Sequence, residues 1–462
     1  MPTDEPRTRL GLRLQRGLQL GRFQRPAVAL SSLFGLLVLG GTLLLLLPMA
    51  RAGDGGAPLL TALFTSTSAV CVVGLTTVDT ATYWSPFGHV VIAALVQVGG
   101  FGITTLASLV ALLISRRLGL RTRLMAQAES RALDLGDIKR VLLGVALITA
   151  VVECVIALVL TLRFWLAYDY SLPKAVWYGI FHSITSYNNA GFALFSDNLV
   201  GFVSDWWICI PICVGVIIGG LGFPVLFELI RERRSTRAWS AQVRLTLVTT
   251  AVLLVGGFAL ILAFEWNNPQ TLAGLDVPTR VLASIFQSVQ PRTAGFNTLD
   301  YGEMENTSLL TTNLLMFVGG GSASSAGGIK VTTLAVLVLA LRAELRGDAD
   351  VNAFRRRMPI EATRQALAVS FAYCVLLMAG TLALLTVAPE VDLSSALFET
   401  GSALATVGLS TGITPSLPAD AQGLLAVLMF IGRLGPLTLA SAIALRQRRQ
   451  LYRWPVERPI IG

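Results

Sequence analysis

The chain has 462 residues, of which 54% are hydrophobic and 14% are charged. This composition excludes an ordinary soluble domain and is typical of a polytopic protein whose solvent is the lipid bilayer. The net charge of +9 is compatible with a nucleic-acid partner, but basic residues of membrane proteins concentrate in cytoplasmic loops. We therefore interpret the charge as topological and predict no nucleic-acid partner.

Eight apolar runs are long enough to cross a bilayer, which takes about 20 helical residues. In chain order they are 27–49, 87–115, 139–166, 206–230, 243–264, 309–341, 364–388 and 422–445. Between the members of each consecutive pair lies an apolar stretch that is too short to span. These stretches are near 58–70, 174–187, 278–290 and 393–405. The order span, short stretch, span therefore occurs four times.

The four repeats predict an all-α integral membrane fold of tandem span, pore-loop, span units in a pseudo-fourfold arrangement around one axis. The predicted segments are an N-terminal arm at 1–26, unit 1 at 27–115, a linker at 116–138, unit 2 at 139–230, a linker at 231–242, unit 3 at 243–341, a linker at 342–363, unit 4 at 364–447 and a tail at 448–462.

Basic residues concentrate in the arm, the linkers and the tail, whereas the opposite side carries only Arg51, Lys174, Arg280 and Arg292. By the positive-inside rule, both termini and the linkers are predicted to be cytoplasmic, and the four short stretches are predicted to be on the outer side.

Each short stretch contains a Phe that is followed nine or ten residues later by a Gly. The pairs are Phe64 with Gly74, Phe181 with Gly191, Phe286 with Gly295, and Phe398 with Gly408. A non-helical segment at membrane depth must be buried in protein or line a wet pathway. Four loops that converge on one axis can offer rings of backbone carbonyls to a cation, with Gly supplying permissive backbone angles.

The loop sequences TSAVCVVGL, SYNNAGF, RTAGFNT and ATVGLSTG resemble those of the Trk/Ktr/HKT superfamily of cation transporters, and most closely its Ktr pore subunits, over about residues 27–462. The resemblance implies that the four units surround a single ion pore in a bacterial plasma (inner) membrane. Members with Ser in the first loop tend to favour sodium, whereas all-Gly members tend to favour potassium. Potassium is therefore the implied ion, sodium remains open as an activator, and sodium or non-selective monovalent cation transport is the alternative.

The resemblance also implies the ion-selectivity filter, in which backbone carbonyls hold K⁺ and no covalent cofactor takes part. Its residues are Cys71, Val72, Val73, Gly74, Asn188, Asn189, Ala190, Gly191, Arg292, Thr293, Ala294, Gly295, Ala405, Thr406, Val407 and Gly408. Arg292 is expected to brace the filter from behind, because a cation beside the ion path would repel the ion. Glu153 and Glu399 are interpreted as structural partners near span ends.

A glycine-rich segment interrupts the sixth predicted span, and it is too poor in large apolar groups for a lipid-facing helix. It contains Gly319, Gly320, Gly321, Ser322, Ala323, Ser324, Ser325, Ala326, Gly327, Gly328 and, two residues later, Lys330. The resemblance implies that 319–330 forms an intramembrane gate below the filter, whereas a glycine-rich helix contact is the alternative.

Arg433 lies inside the last predicted span, where a charge is costly unless it is paired or faces water. The resemblance implies that it bonds to the gate and adds an electrostatic barrier; the alternative is a structural ion pair or a snorkelling side chain. Other glycine-rich pairs, at 99–102, 219–224 and 432–436, are interpreted as sites of close helix packing.

Two competing classes are an intramembrane hydrolase and an alternating-access carrier. An intramembrane hydrolase would need Ser322 or Ser324 beside His89 or His182, yet the predicted topology separates these serines from the histidines, so no enzyme activity is expected. An alternating-access carrier stays open.

Partners are implied by the resemblance alone, since the sequence contains no nucleotide-binding fingerprint. A KtrA-like cytoplasmic ring of nucleotide-binding regulatory subunits is expected to dock on a homodimer of this chain in the lipid bilayer. The tail at 451–462 is expected to lie at the dimer interface.

Overall fold

The structure is a computed structural model that describes the backbone of residues 26–117 and 137–445 and the side chains of 31–101 and 142–435. Almost all of the predicted N-terminal arm, most of the first linker and the whole tail with its predicted dimer contact lie outside the described residues.

The described chain is built from helices, and its strands are a two-residue antiparallel pair in the linker between units 3 and 4. The strands are β1 (Asn352–Ala353) and β2 (Arg356–Arg357). The helices are α1 (Pro26–Leu45), α2 (Leu59–Val70), α3 (Thr80–Tyr83), α4 (Pro86–Arg117), α5 (Asp137–Ala167), α6 (Leu172–Tyr187), α7 (Trp206–Leu221), α8 (Phe223–Arg231), α9 (Ala241–Glu265), α10 (Val277–Val289), α11 (Asn306–Phe317), α12 (Val331–Arg346), α13 (Ile360–Val387), α14 (Leu393–Ala405) and α15 (Ala419–Leu445).

Each unit consists of two long helical segments with a short helix between them. The short helices are α2, α6, α10 and α14, and each ends directly before one of the predicted filter loops. In unit 2 the second segment is divided into α7 and α8, and in unit 3 it is divided into α11 and α12. The long helices flank the short ones, so the four filter loops are carried on an inner group of helices.

Burial is opposite to that of a soluble protein. Large apolar side chains such as Leu36, Val252 and Phe371 are exposed on α1, α9 and α13, whereas hydroxyl side chains on the short helices, such as Ser68 and Thr185, are fully buried. Exposed apolar faces on long helices suit contact with lipid, and buried hydroxyls need partners inside the protein.

Three helices in the described part of the chain are long and apolar enough to cross a membrane: Leu142–Ala167, Ala241–Glu265 and Ile360–Val387. The bent pair of α7 and α8, whose axes meet at 97°, makes a fourth when the pair is counted as one span. The span predicted at 206–230 is therefore divided by a bend. The chain bends at Gly222, which has φ +89°, and a β-carbon there would collide with the carbonyl oxygen of Ser322.

A hydroxyl residue on each short helix fastens it to the first long helix of the same unit. Ser66 donates to the Val38 carbonyl at 2.8 Å, Ser183 to that of Glu153 at 2.5 Å and Ser288 to that of Leu254 at 2.7 Å, while the Thr400 and Thr381 hydroxyls are 2.8 Å apart. These four positions are equivalent in the repeats, so the short helices are held by the same contact in every unit.

Glycines in the second long helices let these helices approach the ends of the short helices closely. A β-carbon at Gly99, Gly219 or Gly432 would collide with the backbone carbonyl of Val70, Tyr187 or Leu404, respectively. Each of these carbonyls lies four residues before a filter glycine. The interpretation of the glycine pairs as sites of close helix packing agrees with this geometry.

Candidate ion pathway

The four filter loops share one backbone conformation although their side chains differ. In each loop a non-glycine residue with positive φ precedes, by two positions, a glycine with positive φ. The pairs are Val72 (55°) with Gly74 (98°), Asn189 (60°) with Gly191 (66°), Thr293 (67°) with Gly295 (81°), and Thr406 (54°) with Gly408 (94°). Left-handed backbone at a non-glycine residue is unfavourable, so its recurrence at four equivalent positions means that the surroundings impose it.

The filter glycines close the loops into a ring. A β-carbon on each glycine would meet the carbonyl oxygen of the residue just before the glycine of the next loop. The contacts are Gly74 with Ala190, Gly191 with Ala294, Gly295 with Val407, and Gly408 with Val73. At Gly191 and Gly295 the distances to the carbonyl oxygen would be 2.7 and 2.5 Å. Only glycine fits here, and the order of contacts returns from loop 4 to loop 1, so the loops enclose one axis.

Each loop turns back onto the end of its short helix. The amide of Val73 donates to the Ser68 carbonyl at 2.8 Å, that of Ala190 to Thr185 at 2.7 Å, that of Ala294 to Gln290 at 3.0 Å and that of Val407 to Ser402 at 2.9 Å. In loops 1 and 4 the Ser68 and Ser402 hydroxyls also accept from the filter glycine amides at 3.0 Å. Helix C-termini carry partial negative charge, so this arrangement favours a cation at the ring.

The side chains of loop 2 bond to neighbouring helices behind the ring. The side-chain amide of Asn188 donates to the side-chain oxygen of Gln97 at 2.7 Å and to the Glu153 carboxylate at 3.2 Å. The Asn189 amide donates to the Val216 carbonyl at 3.4 Å. Glu153 is thus a structural partner as expected, but its predicted position near a span end is wrong, because it lies in the middle of α5.

The glycine-rich segment is not helical, and its two ends are extended stretches that lie side by side. The Gly319 amide donates to the Ile329 carbonyl at 2.9 Å, and the Val331 amide donates to the Gly320 carbonyl at 3.0 Å. The chain between these extended stretches bends sharply, with positive φ at Ala323 and Gly328. The predicted interruption of the sixth span is therefore present in the structure.

The segment lies directly against filter loops 2 and 4. The Ser325 hydroxyl is 3.2 Å from both the Asn189 side-chain oxygen and the Gly219 carbonyl. On the other side, a β-carbon at Gly327 would lie 2.6 Å from the Ala405 carbonyl oxygen. The Gly321 amide donates to the Gly220 carbonyl at 2.7 Å, which connects the segment to the break between α7 and α8.

Three cationic side chains, one of them within the glycine-rich segment, donate to backbone carbonyls of that segment. Arg433, with 4% of its surface exposed, donates from Nη1 to the Ser325 carbonyl. Arg292, 6% exposed, donates to the Thr250 hydroxyl at 3.3 Å and the Gly319 carbonyl at 3.4 Å, and Lys330 donates to the Ala326 carbonyl at 2.5 Å. Among the described residues none of the three pairs with a carboxylate. Backbone carbonyls of the segment are thus partners of all three, and Arg292 of loop 3 also contacts α9 through Thr250.

The comparisons with known proteins identify the family of this fold. The family model described as "TrkH: Cation transport protein" matches residues 22–450. This chain belongs to the TrkH family. Ktr system potassium uptake protein B of Bacillus subtilis is 37% identical over 436 residues, covering 94% of this chain and 96% of that protein. The expected superfamily and the fold of four pore-loop units are confirmed.

Two further relatives widen the comparison. Potassium/sodium uptake protein NtpJ of Enterococcus hirae is 32% identical over 435 residues, covering 93% of this chain and 95% of that protein. The crystal structure of the potassium transporter TrkH from Vibrio parahaemolyticus matches with a TM-score of 0.69 at 20% identity, covering 90% of this chain and 83% of that one. The structural match shows that the same fold is retained at low sequence identity.

The serines and histidines of the hydrolase alternative have other partners in this TrkH-family chain. Ser322 shares a hydrogen bond with Thr332 at 3.1 Å, and Ser324 donates to the Gly321 carbonyl at 2.8 Å. His182 is bonded to the Tyr178 carbonyl and to the Leu194 amide. Among the described residues, the hydrogen-bond partners of these two serines do not include a histidine.

The shared position of four residues on the short helices was not predicted from the sequence, although Glu399 was expected to be a structural partner. The residue after each repeated Phe is buried: Thr65, His182, Gln287 and Glu399. The tripeptides Phe-Thr-Ser, Phe-His-Ser, Phe-Gln-Ser and Phe-Glu-Thr recur in the four units, and this pattern was the available signal. The middle position varies most, which hides its shared location from a search for identical residues.

Proposed function

We propose that this chain takes up potassium across the bacterial plasma (inner) membrane through the ring formed by its four filter loops. The observation that carries the proposal is the closed order of glycine–carbonyl contacts, from Gly74 through Gly191 and Gly295 to Gly408 and back. A ring of backbone carbonyls at the C-termini of four short helices can replace the water shell of a monovalent cation. All four ring positions are glycine, which in the Trk/Ktr/HKT superfamily accompanies a preference for potassium.

The choice of ion is supported by relatives. The 37%-identical relative is named for potassium uptake. The 32%-identical relative is named for uptake of potassium and sodium, which keeps sodium transport as the second candidate. Sodium also remains the candidate activator.

The glycine-rich segment 319–330 is proposed as the gate. It is tied to loop 2 through Ser325 and lies against loop 4 at Gly327, so it lies against the ring from two sides. Arg433 holds the Ser325 carbonyl and adds positive charge at this level. A cation crossing here must displace the segment and approach a buried positive charge, and both effects oppose conduction until the segment moves.

The remaining parts of the proposal concern assembly and orientation. We propose a homodimer, with cytoplasmic termini, that binds a cytoplasmic ring of nucleotide-binding regulatory subunits. A relative whose name describes it as one protein of a Ktr system supports the partner. The measurement is the mass of the purified complex with and without the ring: a dimer that gains mass with the ring is expected, and a monomer would contradict the assembly.

The test of the filter is the flux of potassium and of sodium into liposomes that contain the wild-type chain or Gly408→Ser. The serine side chain would collide with the Val73 carbonyl, and the backbone at φ +94° disfavours any L residue. We expect the potassium-to-sodium flux ratio to fall about tenfold, which corresponds to about 1.4 kcal/mol of lost discrimination.

The matched control is Gly423→Ser in the same unit, where a β-carbon meets nothing within 4 Å. It should leave the ratio unchanged. Equal flux of both ions through the wild type, or an unchanged ratio in Gly408→Ser, would contradict the filter. Flux much faster than a carrier cycle would favour a pore over alternating access.

A further inference from the structure

The tripeptide that begins with the repeated Phe places three side chains with different tasks at equivalent points of the four units. The Phe is fully buried in each unit, and the third residue bonds to the first long helix as described above. The middle residue lies on the same short helix, close to the segment that leaves the filter. It varies as Thr65, His182, Gln287 and Glu399, and each is at most 1% exposed.

Glu399 makes the most contacts of the four. Its Oε1 accepts from the Ser410 hydroxyl at 2.6 Å and from the Thr411 amide and hydroxyl at 2.9 and 3.2 Å. Its Oε2 accepts from the Thr414 hydroxyl at 2.6 Å. Among the described residues it has no cationic partner, so donors of the outgoing segment satisfy this buried carboxylate. Residues 410–414 begin two positions after Gly408, so the carboxylate connects both sides of loop 4.

Gln287 makes the same connection in unit 3 with a neutral side chain. Its Oε1 accepts from the Tyr301 hydroxyl at 2.8 Å, and its Nε2 donates to the Leu299 carbonyl at 3.4 Å. Both partners follow Gly295, as the partners of Glu399 follow Gly408. The bonds therefore again join the short helix to the chain that leaves the ring.

His182 connects loop 2 in a way that fixes its tautomer. The Tyr178 carbonyl lies 2.7 Å from Nδ1 and can only accept, so Nδ1 carries the proton. Nε2 then has a free lone pair and accepts from the Leu194 amide at 3.2 Å. Leu194 follows Gly191 by three positions. In unit 1 the equivalent Thr65 hydroxyl has no hydrogen-bond partner among the described residues, so loop 1 lacks this connection.

We propose that His182, Gln287 and Glu399 are positioning residues that set the spacing of the carbonyl ring by tying the outgoing segment of loops 2, 3 and 4 to their short helices. Each residue lies on its short helix, and its side chain bonds to the segment that leaves the loop, so it acts through the backbone. The inference rests on the proposed filter function. It makes loop 1, which lacks the tie at Thr65, the loop with the least support on its outgoing side.

The test compares Glu399→Gln with Glu390→Gln in liposomes, and the readout is the potassium-to-sodium flux ratio. The glutamine retains one acceptor but presents an NH₂ group to hydroxyl and amide donors, so part of the connection is lost. We expect the ratio to fall about tenfold in Glu399→Gln, because hydrogen bonds to charged groups are among the stronger ones in proteins. Glu390 is exposed in the same unit, and its substitution removes one negative charge without touching the loop.

A double-mutant cycle shows whether Glu399 acts through the outgoing segment. Thr414→Val removes one donor to the Glu399 carboxylate and should lower the potassium-to-sodium flux ratio. In the Glu399→Gln background the same substitution should have a smaller effect, because the two residues share one contact. If Glu399→Gln does not fold, Thr414→Val and Ser410→Ala, which retain the carboxylate, replace it. A ratio that stays at the wild-type value in the folded variants overturns the proposal.

Gly408→Ser separates this proposal from the filter assignment. If Gly408→Ser changes the ratio and the Glu399 and Thr414 variants do not, the filter stands and the positioning role is refuted. If Gly408→Ser leaves the ratio unchanged, the filter itself is wrong, and the positioning role is overturned with it.

Discussion

Replacement of Arg433 by Ala tests the proposed gate most directly. Arg433 is buried on α15, and its described hydrogen bond goes to the Ser325 carbonyl of the glycine-rich segment. A hydrogen bond to a charged group contributes about 1.5–3 kcal/mol. If this bond holds the segment in the closed position, its loss lowers the ratio of closed to open protein by about 10- to 150-fold. Removal of the charge also lowers the electrostatic barrier to a cation, so both effects raise potassium flux.

The assay is the initial rate of potassium uptake into liposomes at equal amounts of reconstituted protein. Arg433→Lys is the informative companion, since it keeps the charge and loses the guanidinium geometry; its flux should lie between those of the wild type and Arg433→Ala. Arg163→Ala is the control, because Arg163 pairs with Asp205 away from the segment. Wild-type flux in a folded Arg433→Ala protein would refute the reasoning, since neither the bond nor the charge would then restrain the ion.

Two further substitutions test the contacts that hold the gate and the filter. Gly222→Ala puts a β-carbon against the Ser322 carbonyl at a backbone angle unsuited to alanine, so we expect altered potassium flux. The control is Gly256→Ala, whose β-carbon meets nothing within 4 Å and which should leave the flux unchanged. Equal flux in both variants would show that the break in the second span of unit 2 does not control the glycine-rich segment. Tyr373→Phe removes the 2.6 Å hydrogen bond from the tyrosine hydroxyl to the Leu404 carbonyl. It should lower the stability of the detergent-solubilised protein by about 1 kcal/mol, measured as a lower melting temperature. An unchanged melting temperature would mean that another donor replaces the hydroxyl.

The apolar runs and the repeated Phe–Gly spacing were sufficient to predict the four units and the loops that follow their short helices. Glycine is informative at these loops because the ring contacts leave no room for a β-carbon, as at Gly191 and Gly295. The break at Gly222 could not be predicted, because the carbonyl that leaves no room for a β-carbon there is that of Ser322, which belongs to another unit about 100 residues away. A glycine within an apolar run looks the same in sequence whether its helix continues or bends.

The support behind the loops was the harder part to predict. Glu153 bonds to Asn188 from the middle of a long helix, and only the packing of two helices within unit 2 brings the two residues together. Similarly, the sequence shows only that Glu399 is an acidic residue on a short helix. Its partners, in residues 410–414, are brought to it by the fold. Sequence patterns within one element predict its shape, but they do not state which neighbour will satisfy a buried polar group.

The four loops of the proposed pore share one backbone conformation but differ in their side chains. Val72, Asn189, Thr293 and Thr406 occupy the same left-handed position with different chemistry, so no single side-chain interaction can hold all four loops in that conformation. Each loop therefore needs support from its own surroundings: packing in loop 1, the helix that Asn189 contacts in loop 2, Gln287 in loop 3 and the Glu399 carboxylate in loop 4. The ring can stay nearly fourfold where the ion contacts carbonyls, while the contacts outside it differ. Substitutions in the outer contacts should then alter selectivity by different amounts in different units, and loop 4 should respond most strongly because several donors of Ser410, Thr411 and Thr414 bond to one carboxylate.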